Sequence, residues 1–340
     1  MGVTRQIKVG ILTAPKIEFE QRERTFVLKN VRIGIGFHWD RHEDQEFAGS
    51  LEIRDNADGT QTAINTIDLE DYLCSVISSE MNANSPMELL KAHAVISRSW
   101  AIRAMQKPNH EGYDVCADDH CQRYEGLKRM NNRAVEAVRA TAGQVLMFGD
   151  EICDCRYYKC CGGRTEIWRT CWEDIDVPYI QSVKCDYCKS PSPKVLRLVL
   201  NDYDQETKDF RDWSVAYTAG ELSEIIRGKS GIDFGEILDL IPMHRGTSGR
   251  IDSLKIVGTK HTETIGKELK IRYLLSKSCL YSSWFDVNHE NGVWTLNGHG
   301  WGHGAGLCQI GAAVMASEGY KYEDILSYYY VGSQLSTPAK

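Results

Sequence analysis

The sequence lacks several features that would narrow its function at once. None of its apolar runs approaches about 20 residues, so no segment is typical of a membrane-spanning helix. Basic residues are too few for a protein whose main partner is DNA or an anionic membrane, because 40 Lys and Arg against 47 Asp and Glu leave a net charge of −7. Internal repeats and low-complexity segments are also missing.

The N-terminus lacks the basic segment and the long apolar segment of a signal peptide. The run MGVTRQIKVGIL therefore leaves two expectations open. Either the protein is cytoplasmic, or the chain begins after an export segment that has been removed.

What is present is the composition of a soluble globular enzyme, with 42% hydrophobic and 26% charged residues. A chain of 340 residues is long enough for a sizeable core and two lobes. Residues 1–66 contain short strand-like runs and turns, which predict a strand-rich N-terminal part. Residues 67–340 form the predicted core. Strands first, with helices clustered in the middle and at the end, predict an α+β fold.

Helices are predicted where apolar residues recur at spacings of three and four. Asp68 can cap the first, and Ser85-Pro86-Met87-Glu88 marks the start of the second with a capping serine, a proline and a glutamate. Further helices are predicted near residues 132–142, 219–227, 307–317 and 322–330. Later strands are predicted at SLKIV, ELKIRYLL and SWFDV.

Glu80 has an unusual place at the end of the first predicted helix. It continues the apolar stripe formed by Leu69, Leu73 and Val76, so its carboxyl group is expected on the covered side. Burial and the negative end of the helix dipole both favour a carboxylic acid that keeps its proton, as a general acid must. The alternative is a solvated glutamate at a fraying helix end.

A resemblance to the SpoIID/LytB family is carried by the run DLEDYLCSVISSEMNANSPMELLKAHAVISRSWAI. In that family an SEM triplet precedes a proline-started helix with the pattern K-A-x-A-V-x-x-R. The resemblance continues through CQRYEG, TAGQVL, YYKCCGGRTE, VPYIQSV and GRIDSLKIVG, and ends with GHGWGHGAGLCQIGAAVMASEGYKYEDILSYYY. It follows the family's order over nearly the whole chain and implies two lobes flanking a glycan cleft.

The resemblance implies a bacterial cell-wall protein. Sporulation members of the family are lytic transglycosylases that cleave the MurNAc-GlcNAc bonds of peptidoglycan strands, and other members were described as enhancers of an amidase. Glu80, the glutamate of the SEM triplet, is then the catalytic acid. A lone carboxylate suffices because the muramyl C6 hydroxyl of the substrate is the nucleophile and the product is a 1,6-anhydromuramyl end. The alternative is a non-catalytic glycan-binding or amidase-enhancing protein.

Five further residues are the predicted contacts to the glycan strand. They are Arg98, Gln122, Tyr124, His303 and Gln309. Arg98 would bind hydroxyl or lactyl carboxylate groups, unless it is ion-paired or on the surface. Gln122 and Tyr124 match the family's Q-x-Y, which suggests sugar stacking.

Two positions depart from the family pattern. His93 stands where members usually have Gln, and Trp100 where they usually have Tyr. Neither change disables the mechanism, but both could alter the groove.

The stretch NGHGWGHGAGLCQIGA, residues 297–312, is unusually rich in glycine. Leu307-Cys308 follow the glycines where a phosphate loop would need Lys-Ser/Thr. A metal shared by His299 and His303 would need a helix, which glycine disfavours. Tight backbone packing is one interpretation. The preferred one, implied by the family, is a wall of the glycan cleft with His303 as its polar contact.

The loop 107–123 carries a possible metal site in His110, Cys116, His120 and Cys121. Two cysteines and two histidines are suitable ligands for tetrahedral zinc. Some family members carry zinc in this loop, so a structural zinc ion is expected beside Gln122. The alternative is a Cys116–Cys121 disulfide.

A second group of cysteines lies in residues 153–188, within a total of twelve in the chain. Its members are Cys153, Cys155, Cys160, Cys161, Cys171, Cys185 and Cys188. Disulfides are the first expectation here, consistent with a protein of the extracytoplasmic cell envelope whose export signal lies outside this chain. A second zinc or an iron–sulfur site is the alternative, and the pairing cannot be derived from the sequence.

Overall fold

Two hydrophobic cores organise the chain in the computed structural model, which describes residues 5–35, 40–82, 84–118, 120–189, 191–200 and 211–337. The larger core contains buried side chains from Ile7 to Leu200 and again from Ala305 to Tyr330. The smaller core contains side chains from Trp213 to Leu296. The chain therefore leaves the large lobe, builds the small lobe and returns.

The chain combines helices with small sheets whose strands pair mostly antiparallel, which confirms the predicted α+β class. The strands are β1 (Gln6–Ala14), β2 (Phe19–Gln21), β3 (Thr25–Ile33), β4 (Arg41–Ala48), β5 (Ser50–Asp55), β6 (Gln61–Asp68), β7 (Val115–Cys116), β8 (Val145–Phe148), β9 (Glu151–Ile152), β10 (Tyr157–Tyr158), β11 (Asp212–Thr218), β12 (Ile237–Arg245), β13 (Ile251–Gly258), β14 (Thr262–Ile265), β15 (Phe285–Glu290), β16 (Val293–His299), β17 (Leu307–Cys308) and β18 (Gln334–Ser336). The helices are α1 (Leu69–Glu80), α2 (Met87–Gln106), α3 (Asn132–Ala140), α4 (Trp168–Cys171), α5 (Pro193–Val199), α6 (Ala219–Ser230), α7 (Glu268–Leu274), α8 (Gln309–Ser317) and α9 (Tyr322–Tyr329).

The sheets of the large lobe are small. Four strands pair in the order β5-β6-β1-β7, and β2-β3-β4 form a separate antiparallel sheet. The strand-rich residues 1–66 and the helices that follow share one core. The short strands β10 and β17 pair in parallel, so residues near 157 and 307 lie side by side.

Helix α1 starts as its sequence predicts, because the Asp68 side chain accepts a hydrogen bond from the backbone N–H of Glu70. Helix α2 starts differently. Ser85 does not cap it, and its hydroxyl donates instead to the carbonyl of Leu198 at the end of α5 (2.8 Å). Tertiary contact thus replaces the predicted cap.

The run ELKIRYLL is not the predicted strand, since α7 occupies most of it. Ile271, Leu274 and Leu275 are buried in the smaller core at the spacing of a helix. Glu268 and Arg272 pair one turn apart at 3.3 Å. The helical period of this run was hidden by its high content of apolar residues, which is equally typical of a buried strand.

A buried polar junction joins the two lobes. The Glu166 carboxylate accepts hydrogen bonds from Thr247 N–H (3.0 Å) and from the N–H and hydroxyl of Ser248 (2.9 and 2.6 Å). Arg250, fully buried, donates to Ser248 Oγ (3.0 Å) and to the Gly302 carbonyl (3.2 Å). Opposite charges thus meet through one hydroxyl, which offsets the free energy lost when each leaves water.

Within the described ranges, no helix has the length and apolar character needed to cross a membrane.

Candidate active site

Glu80 is the last residue of α1, and its side chain is neither fully buried nor fully exposed. Its Oε1 accepts hydrogen bonds from the Tyr157 hydroxyl (3.1 Å) and from the backbone N–H of Arg123 (3.1 Å). Among the described residues, no donor reaches Oε2. The carboxyl group is therefore oriented through one of its two oxygens.

Tyr157 was not predicted as a site residue. Burial, followed by the nearby charge of Glu80, raises the pKa of Tyr157 well above its ordinary value, so the hydroxyl keeps its proton and acts as a donor. Its carbonyl oxygen accepts a hydrogen bond from His303 Nε2 (3.0 Å). The motif YYKCCGGRTE contained Tyr157, but nothing in the sequence distinguished its hydroxyl from that of its neighbour.

His303 supports the backbone of Tyr157. Its Nε2 donates to the Tyr157 carbonyl, and its Nδ1 accepts from the Ala305 N–H (3.1 Å), so both ring nitrogens are used within the chain. Burial lowers the pKa of His303 well below its usual value, which matches a neutral ring. His303 therefore orients β10, and its predicted contact to sugar stays a prediction.

His93 packs against the other side of Tyr157, with ring centroids 4.4 Å apart. Gln309 donates to His93 Nε2 (3.1 Å), while His93 Nδ1 contacts the Ser97 hydroxyl (3.2 Å). Burial lowers the pKa of His93 to about 3, so the ring is neutral. Gln309 is buried and pairs with His93, and its predicted contact to the glycan strand stays a prediction.

Arg98 is buried in an ion pair with Glu70, and its side chain is 1% exposed. Nε and Nη2 donate to the two Glu70 oxygens at 2.8 and 2.6 Å. Its other N–H groups donate to the carbonyl groups of Ala94, Val138 and Gln144. Because all five N–H groups have partners within the chain, Arg98 has none to offer a sugar, and the ion-paired alternative fits its contacts.

Gln122 and Tyr124 are also buried. Gln122 Oε1 accepts from the Tyr72 hydroxyl (3.1 Å), and Tyr124 donates to Asn65 Oδ1 (2.7 Å) while its ring packs on that of Tyr72. In this structure both side chains are occupied by contacts within the chain, and their stacking against sugars stays a prediction. Together they anchor the segment that presents the Arg123 N–H to Glu80.

The glycine-rich stretch packs mainly against the protein itself. A Cβ on Gly306 would lie 2.0 Å from the Arg156 carbonyl oxygen, and one on Gly304 would lie 2.5 Å from the Arg250 guanidinium carbon. Both glycines have positive φ, +85° and +90°. Close packing, the interpretation given second place from the sequence, therefore accounts for these glycines. His299 lies apart from His303 and pairs with Asp212 at 2.6 Å.

An aromatic cluster adjoins Tyr157. The Arg156 guanidinium lies 4.9 Å from the Trp172 ring centre, 5.3 Å from that of Trp168 and 5.7 Å from that of Trp100. Its charge is balanced by Asp154 at 2.7 Å. Trp100, a departure from the family pattern, thus packs against the segment that carries Tyr157.

The loop before Arg123 brings together the four predicted metal ligands. The ligand atoms of His110, Cys116, His120 and Cys121 all lie within 4.8 Å of one another. His110 Nε2 is 3.2 Å from Cys121 Sγ, and His120 Nδ1 is 3.5 Å from the same sulfur. Hydrogen bonding between the two thiols lowers the pKa of Cys116 and raises that of Cys121, so without an ion one thiolate is shared by the pair. The two sulfur and two nitrogen donors fit a tetrahedral zinc ion.

The cysteines do not form the disulfides expected from the sequence, since all twelve are free thiols. Four of them, all buried, have sulfur atoms within 4.8 Å of one another: Cys161, Cys185, Cys188 and Cys308. The last was not predicted, because it lies in the glycine-rich stretch and far along the chain from the others.

Two family models match separate parts of the chain. Residues 57–148, which contain α1 and α2, match the model described as stage II sporulation protein. Residues 166–306, which contain the small lobe, match a domain of unknown function (DUF8618).

The curated relatives are similar over most of the chain. Stage II sporulation protein D of Bacillus subtilis is 28% identical over 81% of this chain and 76% of its own length. An uncharacterised protein of Brachyspira hyodysenteriae is 28% identical over 84% of this chain and 71% of its own length. The amidase enhancer of Bacillus subtilis is 27% identical over 78% of this chain but 40% of its own length. Residues 57–148 match the SpoIID model, and with the quoted motifs the similarity of most of the chain to these relatives supports the SpoIID/LytB family.

Proposed function

We propose that this chain acts on the bacterial cell wall as a peptidoglycan lytic transglycosylase, with Glu80 as general acid and base. One observation carries the proposal. The Glu80 carboxyl group is held through Oε1 by a tyrosine hydroxyl and a backbone N–H, and Oε2 has no donor among the described residues. Such fixed orientation with one available oxygen is what proton transfer to a bound substrate needs.

The reaction proceeds in two steps at the same carboxyl group. Protonated Glu80 gives its proton to the oxygen of the glycosidic bond between MurNAc and GlcNAc, and that bond breaks. The resulting carboxylate then takes the proton of the muramyl C6 hydroxyl, whose oxygen attacks C1 and closes the 1,6-anhydro ring. No second carboxylate is required, because water does not attack. Tyr157 and the Arg123 N–H hydrogen-bond the carboxylate form.

A zinc ion held by His110, Cys116, His120 and Cys121 would be structural in this proposal. The loop ends next to Arg123, whose N–H reaches Glu80. The ion would supply rigidity to that loop, because four protein ligands leave no open position for chemistry. The residues of the chain itself carry the proton transfer.

The proposed partners are glycan strands of peptidoglycan, and the proposed location is the extracytoplasmic cell envelope. The proposed location depends on the proposed substrate alone. The cysteines add no support for an oxidising compartment, because they are free thiols. Similarity to an amidase enhancer favours a second candidate, a non-catalytic protein that binds glycan and stimulates a cell-wall amidase.

Digestion of purified glycan strands without stem peptides separates the two candidates. Mass spectrometry of the products should detect 1,6-anhydromuramyl ends with the native chain and at least about 100-fold fewer with Glu80→Gln. Glu136→Gln, an exposed glutamate on α3, is the matched control. Binding of the strands without any anhydromuramyl product from the native chain would instead support the amidase-enhancer candidate.

A further inference from the structure

We propose that Cys161, Cys185, Cys188 and Cys308 form a second zinc site, which joins the cysteine-rich segment to the start of α8. Their sulfur atoms lie within 4.8 Å of one another, and all four side chains are buried. The proposed glycan chemistry makes no direct use of them.

The four residues come from distant parts of the chain. Cys185 and Cys188 form a C-x-x-C pair in a turn, a spacing common among zinc ligands. Cys161 follows β10, and Cys308 ends β17 and lies 147 residues away from it. Four thiols from three separate segments converge on one buried point, and a single bound ion explains why they do.

Backbone N–H groups point at the sulfur atoms. Cys308 Sγ accepts from the N–H of Cys161 (3.3 Å) and of Gly311 (3.4 Å). Cys161 Sγ accepts from the N–H of Gly163 (3.4 Å). The Tyr329 hydroxyl lies 3.3 Å from Cys185 Sγ. These donors compensate the negative charge that four thiolates would bring into a buried site.

The distances favour one central ion over two disulfides. A disulfide joins two sulfurs at about 2.05 Å and divides four cysteines into pairs. Four sulfurs around one zinc ion, each about 2.3 Å from it, lie about 3.8 Å from each other. Here Cys161 and Cys188 are 3.1 Å apart, and no pair in the set exceeds 4.8 Å. Every sulfur is close to every other, as a tetrahedral site requires.

The short sulfur–sulfur distances also indicate which kind of metal centre fits. Thiolates are soft ligands that prefer zinc or iron–sulfur clusters. A four-iron cluster needs room for its iron and sulfide atoms between the thiolates, and sulfurs within 4.8 Å do not leave it. Four protein ligands without an open position are typical of structural zinc.

The site would hold together β10, which carries Tyr157, and β17. Cys308 pairs with Tyr158 across the parallel ladder of β10 and β17, and Leu307 pairs with Tyr157. An ion bound to Cys161 and Cys308 would therefore hold β10 and β17 together next to the backbone of Tyr157.

Zinc content of the full chain tests the site. In a Cys116→Ser/Cys121→Ser background, which removes two ligands of the other set, inductively coupled plasma mass spectrometry should find one zinc ion per chain. Adding Cys185→Ser/Cys188→Ser should remove it, and adding Cys74→Ser, a buried cysteine outside both sets, should not. A background protein without zinc, or with iron in its place, would overturn the proposal.

Two measurements on the background protein itself keep the test decisive if the quadruple variant does not fold. Cobalt(II) substitution should produce thiolate charge-transfer and tetrahedral visible bands. A chelator should expose the four thiols to alkylation, as mapped by mass spectrometry. Absence of the thiolate bands, or intact disulfides among the four cysteines in a denatured and unreduced sample, would refute zinc binding.

Discussion

The Tyr157 hydroxyl donates a 3.1 Å hydrogen bond to Oε1 of Glu80, which joins the end of α1 to the strand beside the glycine-rich stretch. Residues 77 positions apart in the sequence are thus in direct contact. The contact depends on His303, which holds the Tyr157 carbonyl, and on His93, which packs against its ring. The proposed acid is therefore oriented by elements from both ends of the chain.

Tyr157→Phe should slow glycan cleavage by about 10- to 100-fold, because a hydrogen bond to a charged group contributes about 1.5–3 kcal/mol. The rate of anhydromuramyl formation is the measurement. Tyr320→Phe, which also loses a tyrosine hydroxyl but lies at an exposed position, should cleave at the native rate. An undiminished rate in Tyr157→Phe would show that the hydroxyl does not orient Glu80.

His93→Gln should weaken the dependence of the free energy of unfolding on pH below pH 7. In the folded chain burial lowers the pKa of His93 from 6.5 to about 3, so below pH 6.5 the unfolded chain binds a proton that the folded chain does not. The contribution of neutral His93 to the free energy of unfolding is therefore fully present above pH 6.5 and is lost as the pH falls toward 3. When the pH is lowered from 7 to 5, the free energy of unfolding of the native chain should fall by about 2 kcal/mol more than that of the variant. Denaturant unfolding at the two pH values measures the difference, and equal losses would contradict the prediction.

Gly306→Ala should destabilise the chain by several kcal/mol, because the new Cβ would overlap the Arg156 carbonyl oxygen. Gly319→Ala is the matched control. Gly319 also has positive φ, +95°, but its Cβ would meet nothing within 4 Å, so a loss of about 1–2 kcal/mol is expected from the backbone alone. Chemical unfolding distinguishes the two, and equal losses would mean that the close approach has no energetic role.

Glu70→Gln should lower the free energy of unfolding by about 1.5–3 kcal/mol, since it removes the counter-charge of the buried Arg98 guanidinium, while water screens the 36% exposed Glu70 side of the pair. The affinity of the folded variant for glycan strands should stay native, as measured by co-sedimentation with the strands. A large loss of affinity for glycan strands with an unchanged free energy of unfolding would indicate that Arg98 contacts the substrate.

Cys116→Ser should remove zinc from the 107–123 loop and slow cleavage, because the Arg123 N–H would lose its fixed position beside Glu80. Hydrogen exchange of that loop, measured with zinc content, should rise in the variant. His244→Ala, an exposed histidine of the small lobe, should change neither. Full zinc content in Cys116→Ser would exclude its sulfur from the ligand set.

Local patterns in the sequence determined the α+β class, the cap and extent of α1, the helices α3, α6, α8 and α9 and the grouping of four candidate metal ligands in the 107–123 loop. Each depends on residues close in sequence, whose spacing directly reflects a helix face or a short loop. Glu80 was predicted to be the catalytic acid in the same way, from its place on the apolar stripe of α1 and from the SEM triplet.

Tertiary structure alone decided which polar groups face one another. The Arg98 partners, the contact of Tyr157 with Glu80 and the inclusion of Cys308 in a buried thiol cluster all join distant segments. Spacing along the chain reports which side of an element is covered, but not which groups cover it. That information arises only when the strands β10 and β17 meet and bring residues near 157 and 307 together.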